Sequence, residues 1–506
     1  VAPFVAEVAK TFVGDHADET TSLGSPNRMR ENNFARFFEP STNEPPVLGS
    51  ESRAAVQTPI PPQPTIMLST DTDVFRDSFS QFQTEQSSST PSWLCEFRKR
   101  AMDRFSELGV PTKRIEDWRF TNVAALATRP YQNVQSVSLG SDAAKGLLDS
   151  AKLDDEFHRL VFVNGHFVSQ WSTQHELPAG VVIENLATSI RENNVNVEDR
   201  LAIDVGGEDA AFVALNAAFV NDGASIDIPD GITVDRPIHL VFLSVESGAT
   251  VCHPRNLIRL GKGSRAAVIE SYYGREGEGY FTNAVTQVEV AESANFDHYK
   301  LQHEQTDSLH IALTHVDQKD SSEFRSHYFS FGSLLARNEL NCMLDGEYIV
   351  ATLNGLYMPT GKQLMDCRTR IDHAKPNCNT YELYKGILDD HAKGVFNGKI
   401  FVHQDAQKTD AKQSNQALLL SDDAVVNTKP QLEIYADDVR CTHGATIGEL
   451  DEQALYYLRS RGVTLPLARK MLIFAFANDV VQGVEVPAVR QRLENILLSS
   501  HGLPDV

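Results

Sequence analysis

The sequence predicts a mainly β protein whose β region is flanked by helices. Between residues 160 and 435 the helical period all but disappears, and short β-rich runs follow one another at 238–245, 266–272, 284–290, 308–316 and 323–331. Turn chemistry separates them about every ten to fifteen residues: Gly261-Lys-Gly-Ser264, Gly274-Arg-Glu-Gly-Glu-Gly279, Asp317-Gln-Lys-Asp-Ser-Ser322 and Asp345-Gly346. Several hundred residues of this texture favour a sandwich, a barrel or a β-solenoid. A solenoid accommodates many short strands in one core because each coil buries its inward residues on its neighbours, although no strict repeat consensus is visible. Its ends leave unpaired strand edges, which flanking helices can cap.

Taken in order, residues 1–92 carry 10 of the 22 prolines, with runs such as Pro59-Ile-Pro-Pro62 and Ser87-Ser-Ser-Thr90, and read as a mobile low-complexity tail. Residues 93–159 form an N-terminal helical region. It opens with Trp93, Leu94, Phe97, Ala101, Phe105 and Leu108 at three- and four-residue spacing and a stop at Gly109 and Pro111. Residues 160–450 are the β core. Within it Leu309, Ile311 and Leu313 alternate with His310 and Thr314, which predicts one buried face. Residues 451–506 are a C-terminal helical domain: Asp451 caps a first helix that stops at Gly462, Thr464-Leu-Pro466 opens a second, and Pro487 starts a third.

The chain has 506 residues, enough for about three domain-sized units, and 46 Lys+Arg against 68 Asp+Glu give it a net charge of −22. That sign makes nucleic acid a poor partner. The longest apolar run, 471–477, is too short to cross a bilayer. Six cysteines, at 95, 252, 342, 367, 378 and 441, are too sparse for a secreted disulfide scaffold and nowhere form C-x-x-C, which points to a reducing, intracellular compartment. The acidic residues near Val1 are unlike a secretory or transit leader, though a trimmed one stays open.

Most catalytic signatures are missing: there is no P-loop, no H-E-x-x-H and no G-x-S-x-G. Gly261 to Ala266 fits a loose dinucleotide fingerprint, but a strand is predicted where a helix is required. The informative motif is Cys441-Thr-His443. If extended, it projects a thiol and an imidazole from one face, a pair suited to iron in iron–sulfur chemistry, zinc or copper. Two ligands are not a complete site, so the rest would come from distant residues, inorganic sulfide or another chain. The competing reading is that Cys441 packs as a small hydrophobe and His443 as a hydrogen-bonded core residue. Cys342 reads as core. Cys367 and Cys378, with His373 nearby, could be ligands only if the fold gathers them, His310 and His315 read as strand-surface or core, and Glu433, Asp437 and Asp438 read as a solvated turn or an acidic relay.

Longer blocks carry a family resemblance. Glu116-Asp-Trp-Arg-Phe-Thr-Asn122, Gly398-Lys-Ile-Phe-Val402, Gln407-Lys-Thr-Asp-Ala411, residues 415–420, Thr428-Lys-Pro-Gln-Leu-Glu-Ile-Tyr-Ala-Asp-Asp-Val439, Cys441-Thr-His-Gly-Ala-Thr446 and Tyr457-Leu-Arg-Ser-Arg-Gly462 together resemble the SufB/SufD family of iron–sulfur cluster assembly scaffolds. Thr442 and Gly444 stand where the SufB branch carries acidic residues, so the resemblance is to the SufD branch. It implies a right-handed parallel β-helix core flanked by N-terminal and C-terminal helical domains. It also implies a non-catalytic subunit that pairs with a SufB-like subunit through the β-helix and docks a SufC-like ATPase through its C-terminal helices. His443 and Cys441 then match residues placed at a transient iron–sulfur cluster shared with the partner, with a reduced flavin as a further cofactor and neither nucleic acid nor membrane as partner. The compartment implied is the cytoplasm, with the plastid stroma as alternative. Without the resemblance, a β-solenoid enzyme acting on polysaccharide and a purely structural interaction protein are the other readings.

Overall fold

From Arg255 to Gly448 the chain lays its strands down alternately in two parallel sheets, one coil after another. A computed structural model describes residues 72–86, 90–134, 142–202, 205, 210–245, 248–275 and 279–499. One sheet stacks Arg255–Leu260, Phe281–Val290, Leu309–Gln318, Leu335–Leu344, Leu364–His373, Lys393–Val402 and Val425–Ile434. The other stacks Arg265–Gly274, Asn295–His303, Glu323–Ser330, Val350–Tyr357, Asn379–Leu388, Asp410–Leu419 and Arg440–Gly448. This is a parallel β-solenoid of about seven turns, with helical segments N-terminal and C-terminal to it in the chain. Of the three architectures the strand texture allowed, the solenoid is the one formed.

The coil period varies, from 26 residues between paired Leu309 and Leu335 to 32 between paired Lys393 and Val425. That drift explains why no repeat consensus is visible. Parallel pairing nevertheless stays in register inside each strand, so side chains form columns along the lumen. Large and small residues alternate in those columns. Gly355 lies beside Tyr384, whose ring a Cβ would approach to 2.3 Å, and one column along Gly386 lies beside Tyr357 in the reverse order, at 2.4 Å.

Helices cover part of each outer face. Helices Asp73–Gln86, Ser92–Leu108 and Ala211–Ala218 cover the first sheet, packing Phe75, Phe79, Phe105, Phe212 and Leu215 with Phe281, Ile311 and Leu335. Helices Leu465–Gln482 and Pro487–Ser499 cover the second, packing Ile473, Phe474, Val480 and Leu493 with Ile269, Tyr299, Phe329, Leu356 and Ile387. Lys385 pins the longer of these helices, donating to Phe476 O at 2.9 Å and Asp479 Oδ2 at 2.5 Å.

Three expectations change. Within 1–92, residues Asp73–Gln86 form a helix whose apolar stripe is only Phe75, Phe79 and Phe82 among Ser, Gln and Thr; residues 1–71 and 87–89 lie outside the described residues. Within 160–450, helices Leu186–Glu192, Val197–Ala202 and Ala211–Ala218 precede the regular coils. In Leu309–Gln318 both faces are buried: Ile311 lies under the N-terminal helices, while His310 and Thr314 point the other way into the lumen at 0% and 1% exposure. The expected C-terminal helices form at Glu452–Ser460, Leu465–Gln482 and Pro487–Ser499, with Asp451 Oδ1 accepting from the Gln453 and Ala454 amides at 2.8 and 3.3 Å at the start of the first.

The lumen of the early coils carries buried charges held by partners. Glu270 accepts from Tyr272 Oη at 2.7 Å and Thr286 Oγ1 at 2.7 Å, and lies 3.0 Å from His298 Nε2. Glu304 accepts from Thr282 at 2.8 Å and Gln302 at 3.0 Å and lies 2.7 Å from His310 Nδ1, and buried Lys300 is attracted electrostatically by both carboxylates. Removing one member strands the others. Glu270→Ala is expected to cost about 3–5 kcal/mol of unfolding free energy, measured by urea denaturation; a loss near that of a surface substitution would show that the network contributes little.

Candidate functional site

Among the described residues the solenoid ends on two edge strands. Strands Val425–Ile434 and Arg440–Gly448 are the end strands of their sheets, each paired on one side only among the described residues. Pro430 is tolerated in the first because an edge strand has a side whose N–H groups are not needed. Around this end Val425, Ile434, Tyr435 and Ile447 are exposed, Tyr435 at 60% and Ile447 at 51%.

Cys441 and His443 lie on that last strand. Cys441 is registered with lumen-facing Ala411 and His443 with lumen-facing Gln413, so two-residue periodicity puts both on the lumen side. In an inner coil that side would be sealed. Here no further coil covers it: Cys441 is half-buried against the end of the core and His443 is exposed. Burial pushes the Cys441 thiol up, the Ala411 backbone opposes this, and the Asp410 carboxylate adds to it. The thiol therefore stays protonated until a metal or base takes its proton. A sulfur and a ring nitrogen on one edge can supply two ligands and leave the others to a second body.

The remaining candidates disperse. Cys342 is buried, with its thiol 3.2 Å from Gln318 Oε1; Cys378 donates to Gly346 O at 3.1 Å; His373 bonds Thr380 at 3.1 Å; Cys367 is lumen core. Among the described residues no group of three or more His, Cys, Asp or Glu could hold a metal ion. Asp438 pairs with Lys408 and Glu433 with Lys399 at 2.7 Å, which makes these acids part of surface ion pairs. Gly261 leads into strand Arg265–Gly274 rather than a helix, so the dinucleotide fingerprint is a turn. The Glu116-Asp117-Trp118 segment straps the outer face of the first sheet. Asp117 holds Arg368 at 2.8 Å, Glu116 holds Lys429, and Arg337 stacks 3.6 Å over the Trp118 ring.

Residues 242–476 match the core domain model described as SUF system FeS cluster assembly, SufBD core domain, and residues 70–240 match the SufBD protein N-terminal region. The chain belongs to the SufBD family. It is 34% identical over 424 residues to an iron-sulfur cluster assembly SufBD family protein of Synechocystis, covering 81% of this chain and 92% of the relative. It is 32% identical over 388 residues to the iron-sulfur cluster assembly protein SufD of Escherichia coli (76% and 88%), and 30% identical over 396 to the chloroplastic protein ABCI7 of Arabidopsis thaliana (76% and 81%). No described helix is long and apolar enough to cross a membrane.

In this SufBD chain the lumen beneath the open end holds residues that linear motifs did not single out. Gln413 Nε2 donates to Glu382 Oε2 at 2.6 Å, and the two are buried in consecutive coils. Their separation of 31 residues, and the 30 from Gln413 to His443, follow the coil period, a signal legible only once the coils are in register. Burial pushes the Glu382 carboxyl up to about 7, with Thr369 and Gln413 pulling the other way. A carboxyl raised in the fold stabilises it fully below its unfolded value and loses that contribution as pH rises through the folded one. Glu382→Gln is therefore expected to gain stability relative to the parent as pH is raised from about 4 to 8, by at most about 3 kcal/mol. Urea midpoints across that range check this, and a pH-independent difference would contradict it.

Proposed function

We propose that this SufBD chain is a non-catalytic scaffold subunit of a SufB–SufC–SufD-type complex, holding part of a nascent iron–sulfur cluster at the end of its solenoid. The observation that carries the reading is the terminal coil, on whose lumen side Cys441 and His443 stand with no further described coil over them, beside unpaired backbone and exposed apolar side chains. A SufB-like subunit laid against that edge would pair its backbone groups, bury Tyr435 and Ile447, and supply the missing ligands. The cluster is cargo: iron arrives, sulfur arrives as a persulfide on the SufB-like subunit, His443 gives one neutral ring nitrogen, Cys441 gives a thiolate after losing its proton, and the assembled product leaves. Reduced flavin is the two-electron source we assign to the complex, cleaving the persulfide S–S bond to release sulfide and return the SufB-like thiolate. We read the compartment as cytoplasmic, with the plastid stroma as the alternative raised by the chloroplastic relative.

ATP hydrolysis belongs, in this reading, to a SufC-like ATPase docked on the C-terminal helices. Support comes from helix Glu452–Ser460, where Leu458 is buried while Tyr456 is 77% and Tyr457 45% exposed, with Leu465 beside them at 43%. Helix Leu465–Gln482 is the cover of the second sheet, so truncation would uncover the core; substitutions on the exposed face are the cleaner test.

Two outcomes are expected. In anaerobic reconstitution with SufB-like and SufC-like partners, His443→Ala abolishes cluster formation, read by absorption and Mössbauer spectroscopy, while the complex still assembles; unchanged yield would leave a structural role only. Replacing Tyr456 and Tyr457 with Glu weakens co-purification of the ATPase at least tenfold without lowering the thermal midpoint of the isolated chain, and undiminished capture would remove the docking assignment.

A further inference from the structure

The reading of His443 as a cluster ligand raises a question about its ring. A neutral imidazole has two tautomers, and a free one samples both. A ligating histidine has its tautomer fixed by what the other ring nitrogen donates to. His443 has a neighbour suited to that task. Gln413 is its registered partner on the adjacent strand, about 4.8 Å away in the ladder direction. The side chain of Gln413 is 3% exposed, its Nε2 is committed to Glu382, and its Oε1 is buried with no protein donor.

The amide is held in that orientation from two sides. Glu382, one coil further in, accepts the N–H at 2.6 Å and so fixes which end of the amide is oxygen. Across the lumen, Gly398 gives the amide room: a Cβ there would fall 2.3 Å from Gln413 Nε2 and 2.9 Å from its Cδ. Glycine is required at this place for what lies opposite, not for a turn. A buried carbonyl oxygen without a donor is costly, and the next polar side chain up the column towards the open end is the imidazole.

We infer that Gln413, oriented by Glu382 and accommodated by Gly398, is the positioning residue that accepts one ring N–H of His443 and leaves the other nitrogen's lone pair facing out of the open end. The contact forms by rotation of the exposed His443 side chain onto the waiting oxygen. It fixes the ligating nitrogen before iron arrives, so ordering the ring does not have to be met during cluster assembly. Gln413 touches neither metal nor sulfide and acts only through His443.

The test reads the ring directly, in the full chain labelled with 15N-histidine at pH 8, with His443→Ala giving the assignment. The parent is expected to show one protonated and one unprotonated ring nitrogen for His443. In Gln413→Met, which keeps the length and removes the acceptor, the two signals should move towards the averaged pair of a free imidazole. Gln413→Glu, which restores an acceptor, should recover the split. Gly398→Ala offers a second route, since it displaces the amide without changing either partner, and it should lower the tautomer ratio at least threefold; it also serves if Gln413→Met does not fold. An averaged pair in the parent, or a split that survives both Gln413→Met and Gly398→Ala, overturns the inference and leaves cluster ligation by His443 untouched. Unchanged cluster yield from His443→Ala would do the reverse, removing the ligand reading while the tautomer bias stands.

Discussion

A stack of parallel coils has to end, and where it ends two strands keep backbone groups that no further coil can pair. Every inner strand of this solenoid is satisfied on both sides, and helices cover part of each outer sheet face. Among the described residues the last coil keeps open edges at this end of the stack, as Val182–Asn185 and His166–Phe167 do at the other. Natural sheets usually blunt such edges with charges, bulges or a covering element. Here the edge is dressed with Tyr435, Ile434 and Ile447, side chains that solvent disfavours and a partner surface accepts. The end of the coil is therefore where an interaction is anticipated, and it is also where the thiol and imidazole sit.

The same geometry determines whether a Cys-x-His pair is sealed in the core or left uncovered. In an inner coil, lumen-side residues two apart would be sealed, as Cys367 and Thr369 are. On the last coil the same alternation delivers Cys441 and His443 to an open mouth. Position along the stack, rather than the motif, separates the two readings. Sequence spacing alone could not choose between them, because two-residue periodicity is identical in both cases.

What was legible in the sequence followed from local physics. The runs beginning near Ile238, Ala266, Ala284, Leu309 and Glu323 are strands within a few residues of their expected limits, and Asp451 caps the helix it precedes. What was not legible depends on distant contacts. Leu309, Ile311 and Leu313 announced one buried face, but His310 and Thr314 opposite them are buried too, in a lumen whose polar character is paid for by Glu304 and its donors. Phe75, Phe79 and Phe82 are too diluted by polar neighbours to announce a helix; their burial comes from Phe105 and Phe219. Glu382, Gln413 and His443 share one column only because two successive coils happen to take 31 and 30 residues.

A scaffold for a departing cargo has to solve a problem that a resident metal site does not. A full cage of four protein ligands would hold a cluster too well, whereas free thiols in solution would not gather one. In the proposed role, two ligands of different softness on a rigid edge, with the rest on another body, would let affinity be set by the interface. The thiol of Cys441 stays protonated in the isolated chain because burial raises it, so metal binding must expel that proton. Rigidity matters as much as identity: a strand hydrogen-bonded along nine residue pairs to its neighbour holds its side chains more precisely than a loop would. In the proposed role the β-solenoid then has a physical use: the stack supplies a stiff edge, and the incompleteness of the proposed site is a property of where the coil stops.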